Sequence, residues 1–414
     1  MLDINFIRLN TDLCKKAADD KNFAVDFDRV LALDAELREL TGQIEPLRAE
    51  RNALSKGKPT PEQIERVRAI KPALSALEEK HSETKAALEY LMLTIPSVPC
   101  AEVPIGNGEE DNVVLRHVGE KPIFNFAAKD HMELADLHDL VDIPRGVKCA
   151  GSRSYFLKND AVLLEQAVLR LALDMLVARG YTPLTVPFMV NEASMMGTGY
   201  LPLGRDQAYH MEKDDLYLIG TSEVSVVSYH RDEILDAKDF PLRYAGLSTC
   251  FRREAGTYGK DTRGLYRIHQ FQKTEQVIFI PADEKLAEQM HYELLQNAED
   301  VLQALELPYR VSIACTGDLG QGQTRKHEVE TWMPSRDAYC ETHSCSTFGD
   351  FQARRSNIRH RDADGNLKFC YTLNNTAIAS PRILIPLLEN HQRQDGSIYI
   401  PKALVPYFGK NEIK

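Results

Sequence analysis

Between residues 28 and 95, apolar side chains recur at alternating intervals of three and four, and the pattern breaks once. Val30, Leu33, Leu37, Leu40, Ile44, Leu47 and Leu54 make the first series, with Arg51 at the one missed position. After the stretch GKPTP at Gly57 to Pro61 the series resumes as Ile70, Leu74, Leu77, His81, Thr84, Leu88, Leu91 and Ile95. A seam of that period lies on one stripe of a helix, and a short Gly/Pro turn lets two such stripes face each other. The spacing predicts an antiparallel coiled-coil hairpin, each arm about 45 Å long at ~1.5 Å rise per residue. Pro46 and Pro72 fall inside the two helices and predict a kink or a broken turn at each.

Charge along this hairpin is uneven. Arg48 to Lys71, around the turn, holds seven Lys/Arg against three Asp/Glu, whereas the two base segments hold four against nine. Most charged coiled-coil faces are simply solvated. A basic tip on a chain of net charge −11 is also what a grip on a nucleic-acid backbone requires. The acidic total itself argues against broad nucleic-acid or membrane-surface binding. No apolar run is long enough to span a bilayer. The amino terminus, MLDINFIRLNTDLCKK, lacks a signal-peptide pattern. Eight cysteines scattered without a CxxC pair read as the reduced thiols of a cytoplasmic protein.

A chain of 414 residues suggests two or three domains. Pro96 and Pro99 end the second helix, and the Gly-, Pro- and acid-rich stretch that follows reads as a linker. The layout expected is an N-terminal domain over 1–100, a linker over 101–121 and a mixed helix-and-strand domain over 122–414. Within the last, 161–179 is an amphipathic helix closed by Gly180. Tyr181 to Val190 is a strand whose Pro183 and Pro187 mark an edge or a contact between chains. Ala282 to Leu305 is a second helix, Tyr309 to Ala314 and Lys368 to Leu373 are strands, and a helix over Pro381 to Gln392 starts on proline.

Four clusters carry chemistry. FRREAGTYGKDTRGLYRIHQFQKTE at Phe251 to Glu275 joins two strand-like runs, Leu242 to Phe251 and Gln270 to Ile280, through a Gly-rich basic loop. An arginine where a strand meets such a loop suits a phosphate, because its planar fork pairs with two phosphate oxygens. Thr221-Ser222-Glu223 follows the strand-like YLIG and reads on its own as a helix cap. Glu341 to Ser346, ETHSCS, places Cys340, His343 and Cys345 near one another, but not at the spacing of a zinc site. Glu341 with Ser344 is instead a hard oxygen pair of the kind Mg²⁺ uses beside substrate phosphates. Asn374-Asn375-Thr376 leads through Ser380, a candidate helix cap, to Arg382 at a helix start, a place suited to an anion. No Walker A motif and no GxGxxG after a strand is present.

Behind a helical hairpin and in their order along the chain, the four clusters closely resemble the seryl-tRNA synthetases, a family of class II (class IIa) aminoacyl-tRNA synthetases, over essentially the whole chain. Motif 1 resembles helix 161–179 with the strand bearing Pro187, motif 2 resembles Phe251 to Glu275, and motif 3 resembles Leu373 to Gln392. TSEV at Thr221, ETHSCSTFGDFQARR at Glu341 and LRAERNALSK at Leu47 are similar to serine-type signatures. Ser222 and Thr376 are small departures, standing where alanine is frequent and serine is also common. The resemblance implies an α+β fold: an antiparallel class II sheet flanked by helices, with an N-terminal antiparallel coiled-coil hairpin, dimerising through motif 1. It implies ATP, Mg²⁺, L-serine and tRNA(Ser) as ligands and leaves tRNA(Sec) open as a second acceptor. Arg252 then falls on the α-phosphate and Arg382 near the γ-phosphate. Phe271 matches the ring that stacks on adenine, with Glu254 at the adenine edge. Glu341, Thr342, His343 and Ser344 match the ATP contacts, Glu341 and Ser344 also the metal. Thr221, Glu223, Glu275, Asn374 and Thr376 match the serine pocket. Residues 254–266, with Lys260 and Arg263, match the loop that meets the tRNA acceptor end. Arg48, Arg51, Lys56, Lys58, Arg66 and Arg68 are the candidates for gripping the long variable arm of the tRNA.

These residues make chemical sense of such a reaction. The attacking group is a serine carboxylate, already ionised at neutral pH, so no general base is required and catalysis rests on alignment and charge stabilisation. Two other readings stay in view: an aminoacyl ligase loading a carrier protein, whose short forms lack the arm, and an inactive RNA-binding paralogue, which would be expected to have lost Arg252, Arg382, Glu275 or Glu341.

Overall fold

The computed structural model describes residues 1–57, 59–256 and 263–414. The chain divides into two compact units, Met1–Val98 and Pro99–Lys414. In the first, α1 (Phe27–Leu54) and α2 (Pro61–Thr94) form the expected hairpin. Local chemistry fixes their ends. The Asp26 carboxylate accepts from the Arg29 N–H, and Thr60 and Gln63 make a reciprocal capping box with Pro61 in the first turn. Pro96, just past α2, cannot continue it.

Val30, Leu33, Leu40, Ile44, Ile70, Leu74, Thr84 and Leu88 are buried along the seam, as the heptad pattern requires. Helices Ile4–Leu9 and Thr11–Asp20 close the base, where Ile7, Cys14 and Ala18 pack on Phe27, Val30, Leu33, Leu88 and Met92. The broken turns expected at Pro46 and Pro72 do not occur. Each helix runs continuously through its proline, and both prolines are exposed on the face away from the seam.

The second unit is built on an eight-stranded sheet. Its strands are β1 (Val113–Val118), β2 (Thr182–Thr185), β3 (Leu242–Phe251), β4 (Gln270–Ile280), β5 (Tyr309–Ile313), β6 (Arg325–Met333), β7 (Ala338–Gly349) and β8 (Tyr371–Ser380). The spatial order is β1-β5-β6-β7-β8-β4-β3-β2, antiparallel throughout except for the parallel pair β2–β3. This is the α+β fold expected from the sequence. Pro183 lies on the edge strand β2, where its missing N–H costs no ladder bond. The linker expected over 101–121 is different in the structure. β-branched Val113 and Val114 begin β1, which pairs with β5 as the opposite edge of the sheet.

Strand alternation divides the labour of the sheet's faces. On β4 the even residues Ile278 and Ile280 join a large core with Leu164, Val168 and Leu171 of α3 (Asp160–Ala178) and Leu294, Leu295, Val301 and Leu302 of α5 (Glu284–Ala304). The odd residues Val277 and Phe279 face a second cluster with Val224, Val226 and Val227 of the short helix α4 (Glu223–Tyr229). Continuing along that odd face, Glu275, Lys273 and Phe271 line a cavity. The helix expected at Pro381 begins later, as α6 (Leu384–Asn390), because β8 runs on to Ser380 and a turn intervenes. Ser380 does not cap α6; its hydroxyl donates to Glu165 at 2.9 Å. Among the described residues, no helix is long and apolar enough to cross a membrane.

Candidate active site

The cavity, of about 260 Å³, opens on the middle of the sheet between β4, β7, β8 and the segments flanking 257–262. Two backbone irregularities decide what faces it. On β7, regular alternation would aim Ser346, Ser344 and Thr342 inward and Glu341 away. The ladder to β6 slips there, pairing Val329 with His343 but Glu330 with Glu341, so Thr342 is the extra residue and Glu341 joins the cavity face. On β8 the slip at Ala377 likewise lets Asn374, Thr376 and then Ala379 share one face while Ile378 enters the core.

One end of the cavity is buried and acidic. Glu223 accepts from Gln352 Nε2 at 2.6 Å, and Gln352 is itself held by the Thr372 hydroxyl. Glu275 is paired with Lys273 Nζ at 2.5 Å and accepts from the Thr376 hydroxyl at 3.4 Å. Thr221 begins the turn into α4, its hydroxyl accepting the Glu223 N–H. Burial, with Glu275 adding repulsion, pushes the Glu223 carboxyl up to about 7, while Gln352, Lys273 and Asn374 hold it down. Asn374 also lines this end, yet its buried Nδ2 makes no hydrogen bond of good geometry among the described residues. Two carboxylates against one lysine leave room for one more cation, such as a substrate ammonium.

The other end is more open and carries arginines. Arg252, where β3 ends, sits with Nε 3.4 Å from the Gly220 carbonyl and its guanidinium 5.1 Å from the Phe271 ring centroid. Arg382, in the turn after β8, donates from Nε to the Tyr266 carbonyl and from Nη1 to the Glu341 carbonyl, and lies 4.4 Å from the Tyr266 ring centroid. Its Nη1 is 3.5 Å from the Glu341 carboxylate. Glu254, at φ 54, accepts from Arg267 at 2.7 Å. Thr342 spends its hydroxyl on Thr331 and the Val329 carbonyl.

Arg252, Arg382, Glu254, Phe271, Glu341, Thr342, Ser344, Thr221, Glu223, Glu275, Asn374 and Thr376 thus all line one cavity. His343 does not. Alternation turns it to the opposite face, where its Nε2 meets the Ala377 carbonyl at 3.1 Å and burial pulls its pKa down to about 4. The cysteines around it are also buried in the core, Cys345 near His291. Lys273, Tyr200, Tyr266 and Arg267 line the cavity and Gln352 braces Glu223, although none of them is among the site residues expected from the sequence. Lys273 was within reach, since it stands two residues before Glu275 on a strand and must share its face. Tyr200 arrives from a segment with no local signal, whereas Gln352 stands inside the ETHSCSTFGDFQARR segment without being singled out there.

On the first unit, Arg48 pairs with Glu78 at 2.8 Å and Arg66 with Glu50 at 2.7 Å, each across the hairpin. Arg51 is half-buried beside Asn52, and Lys56 and Arg68 are exposed. Arg263, on the second unit, pairs with Asp130 at 3.1 Å. Lys58 and Lys260 lie outside the described residues.

An arginine at the end of β3, a second in the turn after β8, and a large antiparallel sheet between them define a class II aminoacyl-tRNA synthetase core. Residues 208–391 match the family model of the tRNA synthetase class II core domain (G, H, P, S and T), and residues 1–99 match the seryl-tRNA synthetase N-terminal domain. A serine–tRNA ligase of Deinococcus radiodurans is 46% identical, with 100% of this chain and 99% of that protein covered. The crystal structure of seryl-tRNA synthetase from Pyrococcus horikoshii complexed with ATP superposes with a TM-score of 0.92 at 38% identity, covering 100% of this chain and 99% of that one. A cytoplasmic serine–tRNA ligase from Naegleria fowleri in complex with AMP superposes at 0.88 with 29% identity, covering 100% and 99%. The chain belongs to the seryl-tRNA synthetase family.

Proposed function

We propose that this protein is a serine–tRNA ligase that forms seryl-adenylate from L-serine and ATP, releases pyrophosphate, and passes serine to the 3′ end of tRNA(Ser). The observation that carries the reading is a single cavity with a buried acidic end and an arginine-bearing end, in a chain alike over its whole length to such ligases.

The serine ammonium takes the counter-charge of Glu223, while Glu275, already half-neutralised by Lys273, and Thr376 accept or share the serine hydroxyl. Asn374 and Thr221 complete the polar wall. Alanine would leave these buried groups unpaired, at about 1–3 kcal/mol each, which is a strong basis for rejecting it. The serine carboxylate then attacks the α-phosphorus in line, with Arg252 neutralising charge on the α-phosphate and Arg382 holding the departing pyrophosphate. Phe271 offers its ring to the adenine and Glu254 its edge.

Glu341 and Ser344 present hard oxygens on the cavity wall, and among the described residues no group of three or more His, Cys, Asp or Glu is assembled for a metal. That donor set fits Mg²⁺, which takes one or two protein ligands and fills its shell with phosphate and water. Bound there, Mg²⁺ would supply charge neutralisation on the phosphates.

A homodimer is supported by apolar side chains exposed on α3 and the strand after β2: Leu163 at 49%, Val177 at 45% and Met189 at 50%. The eight free thiols support a cytoplasmic setting. The arm, absent from short carrier-protein ligases, favours tRNA as the acceptor.

Amino-acid-dependent ATP–pyrophosphate exchange, run with each amino acid in turn, tests the reading. Exchange with serine alone is expected. Exchange driven by another amino acid would overturn the pocket assignment, and exchange with none would favour the inactive RNA-binding alternative.

A further inference from the structure

Outside the cavity, a buried carboxylate has an unusual set of donors. Glu389, on α6, has a side chain with no exposed surface. Its Oε1 accepts from the His131 backbone N–H at 2.9 Å, from His131 Nδ1 at 2.9 Å and from the Ser335 hydroxyl at 2.7 Å. Its Oε2 accepts from the Ser335 N–H at 2.9 Å. Burial alone would raise this carboxyl, but the donors from His131 and Ser335 outweigh it and keep it below its ordinary range.

With Nδ1 facing the Glu389 carboxylate and Nε2 facing a backbone donor, the ring proton of His131 belongs on Nδ1 and Nε2 is the acceptor. That nitrogen faces the Leu265 N–H at 3.4 Å. The approach is close because residue 264 is glycine: a Cβ there would stand 2.3 Å from Nε2, at φ +83. The next residue, Tyr266, gives its carbonyl to Arg382 Nε at 3.3 Å and its ring to the same guanidinium. Asp130, adjacent to His131, holds Arg263 at 3.1 Å.

We propose that His131 is a positioning residue for the ATP end of the site: oriented by Glu389, it holds the Leu265 N–H and so sets where Tyr266 holds Arg382. This rests on the functional reading above. It gives α6 a second task, since the helix that follows Arg382 in the chain also anchors, through Glu389, the segment that fixes the Arg382 side chain. His131 touches no reacting atom.

Two substitutions separate the parts of this contact. In His131→Gln the amide oxygen reaches the place of Nε2 and can still accept from Leu265. In His131→Asn the shorter amide can still serve Glu389 but cannot reach Leu265. His131→Asn is expected to raise the ATP KM and lower kcat of serine-dependent exchange by about tenfold in kcat/KM, with the serine KM within about twofold of the parent. His131→Gln is expected to recover to within about threefold. Hydrogen–deuterium exchange of the peptide spanning 263–268 should speed up in the Asn variant and stay near the parent rate in the Gln variant. Equal loss in both variants, tracking a fall in Tm, would mean a merely structural histidine and overturn the proposal. So would faster deuteration in the Asn variant with unchanged kinetics. A parent protein without any serine-dependent exchange would defeat the functional reading instead, and the deuterium comparison would still decide whether His131 holds Leu265.

Discussion

The two units of this protein are organised over different lengths of chain. In the hairpin, polar contacts join residues near in sequence or directly across the two helices: Arg66 to Glu50 spans 16 positions and Arg48 to Glu78 spans 30. In the second unit, the contacts that shape the cavity join residues separated by 101 positions, Thr376 to Glu275, and by 129, Glu223 to Gln352. A surface built from local period is tolerant, because each residue depends on a few neighbours one turn away. A site assembled from distant strands is not, because displacing one member leaves the others buried and unpaired. The binding of a flexible polyanion can be entrusted to the first kind of structure, and alignment of a carboxylate with a phosphate needs the second.

The contrast can be broken by experiment. The largest effect is expected from Arg252→Ala, which should lower serine-dependent pyrophosphate exchange by about 10³-fold with the arm untouched; a loss below tenfold would remove Arg252 from the chemistry. Glu275→Ala should cost about 10²-fold in kcat/KM for serine, because Lys273 is then buried without its partner. Glu275→Ala kinetics unchanged in serine KM and kcat would mean the pocket is elsewhere.

Reversing Lys56 and Arg68, which stand outside the Arg48–Glu78 and Arg66–Glu50 pairs, should raise the tRNA KM about tenfold and flatten its salt dependence. Pyrophosphate exchange should not move; a parallel fall in exchange would erase the division of labour between the units.

Acidity acts on the buried acidic end of the cavity. With Glu223 near 7 in the folded protein against an ordinary 4.5, the serine KM should rise about threefold between pH 7.5 and 6.5 as the counter-charge is protonated. Glu223→Gln should abolish that dependence. The same group opposes folding as it ionises: its contribution to stability is full below about 4.5 and is lost as pH rises through about 7.

The smallest effect belongs to Gly42→Ala. Gly42 lies in α1, and a Cβ there would meet nothing within 4 Å. The arm should gain about 0.5–1 kcal/mol of stability from the lost backbone freedom, read as slower deuterium exchange in 27–54, with no change in serine activation.

Much of the fold and of the site is legible in the order of residues. The hairpin follows from its three–four period because a helix repeats every 3.6 residues whatever surrounds it. β3 and β4 match their apolar runs residue for residue. Arg252 and Glu275 announce themselves as charged residues at or within strand-like runs, and Glu341 as a hard oxygen beside Ser344. Sequence patterns mislead at the places where neighbours overrule them. The stretch around β1 has a linker's composition but finds an open sheet edge, and Pro381 looks like a helix start although β8 runs through to Ser380. His343 sits among the right residues and points the wrong way.

The sequence by itself determined the hairpin, the long helices and the β3–β4 pair, the order of the chemical groups along the chain, and the family they resemble, because periodicity and residue type are properties of the chain alone. Tertiary structure decided which side chains meet. The one-residue slips on β7 and β8 turn Glu341 and Ala379 into the cavity, and burial beside Glu275 raises the Glu223 carboxyl. Register and burial are relations between segments, and no segment carries them on its own.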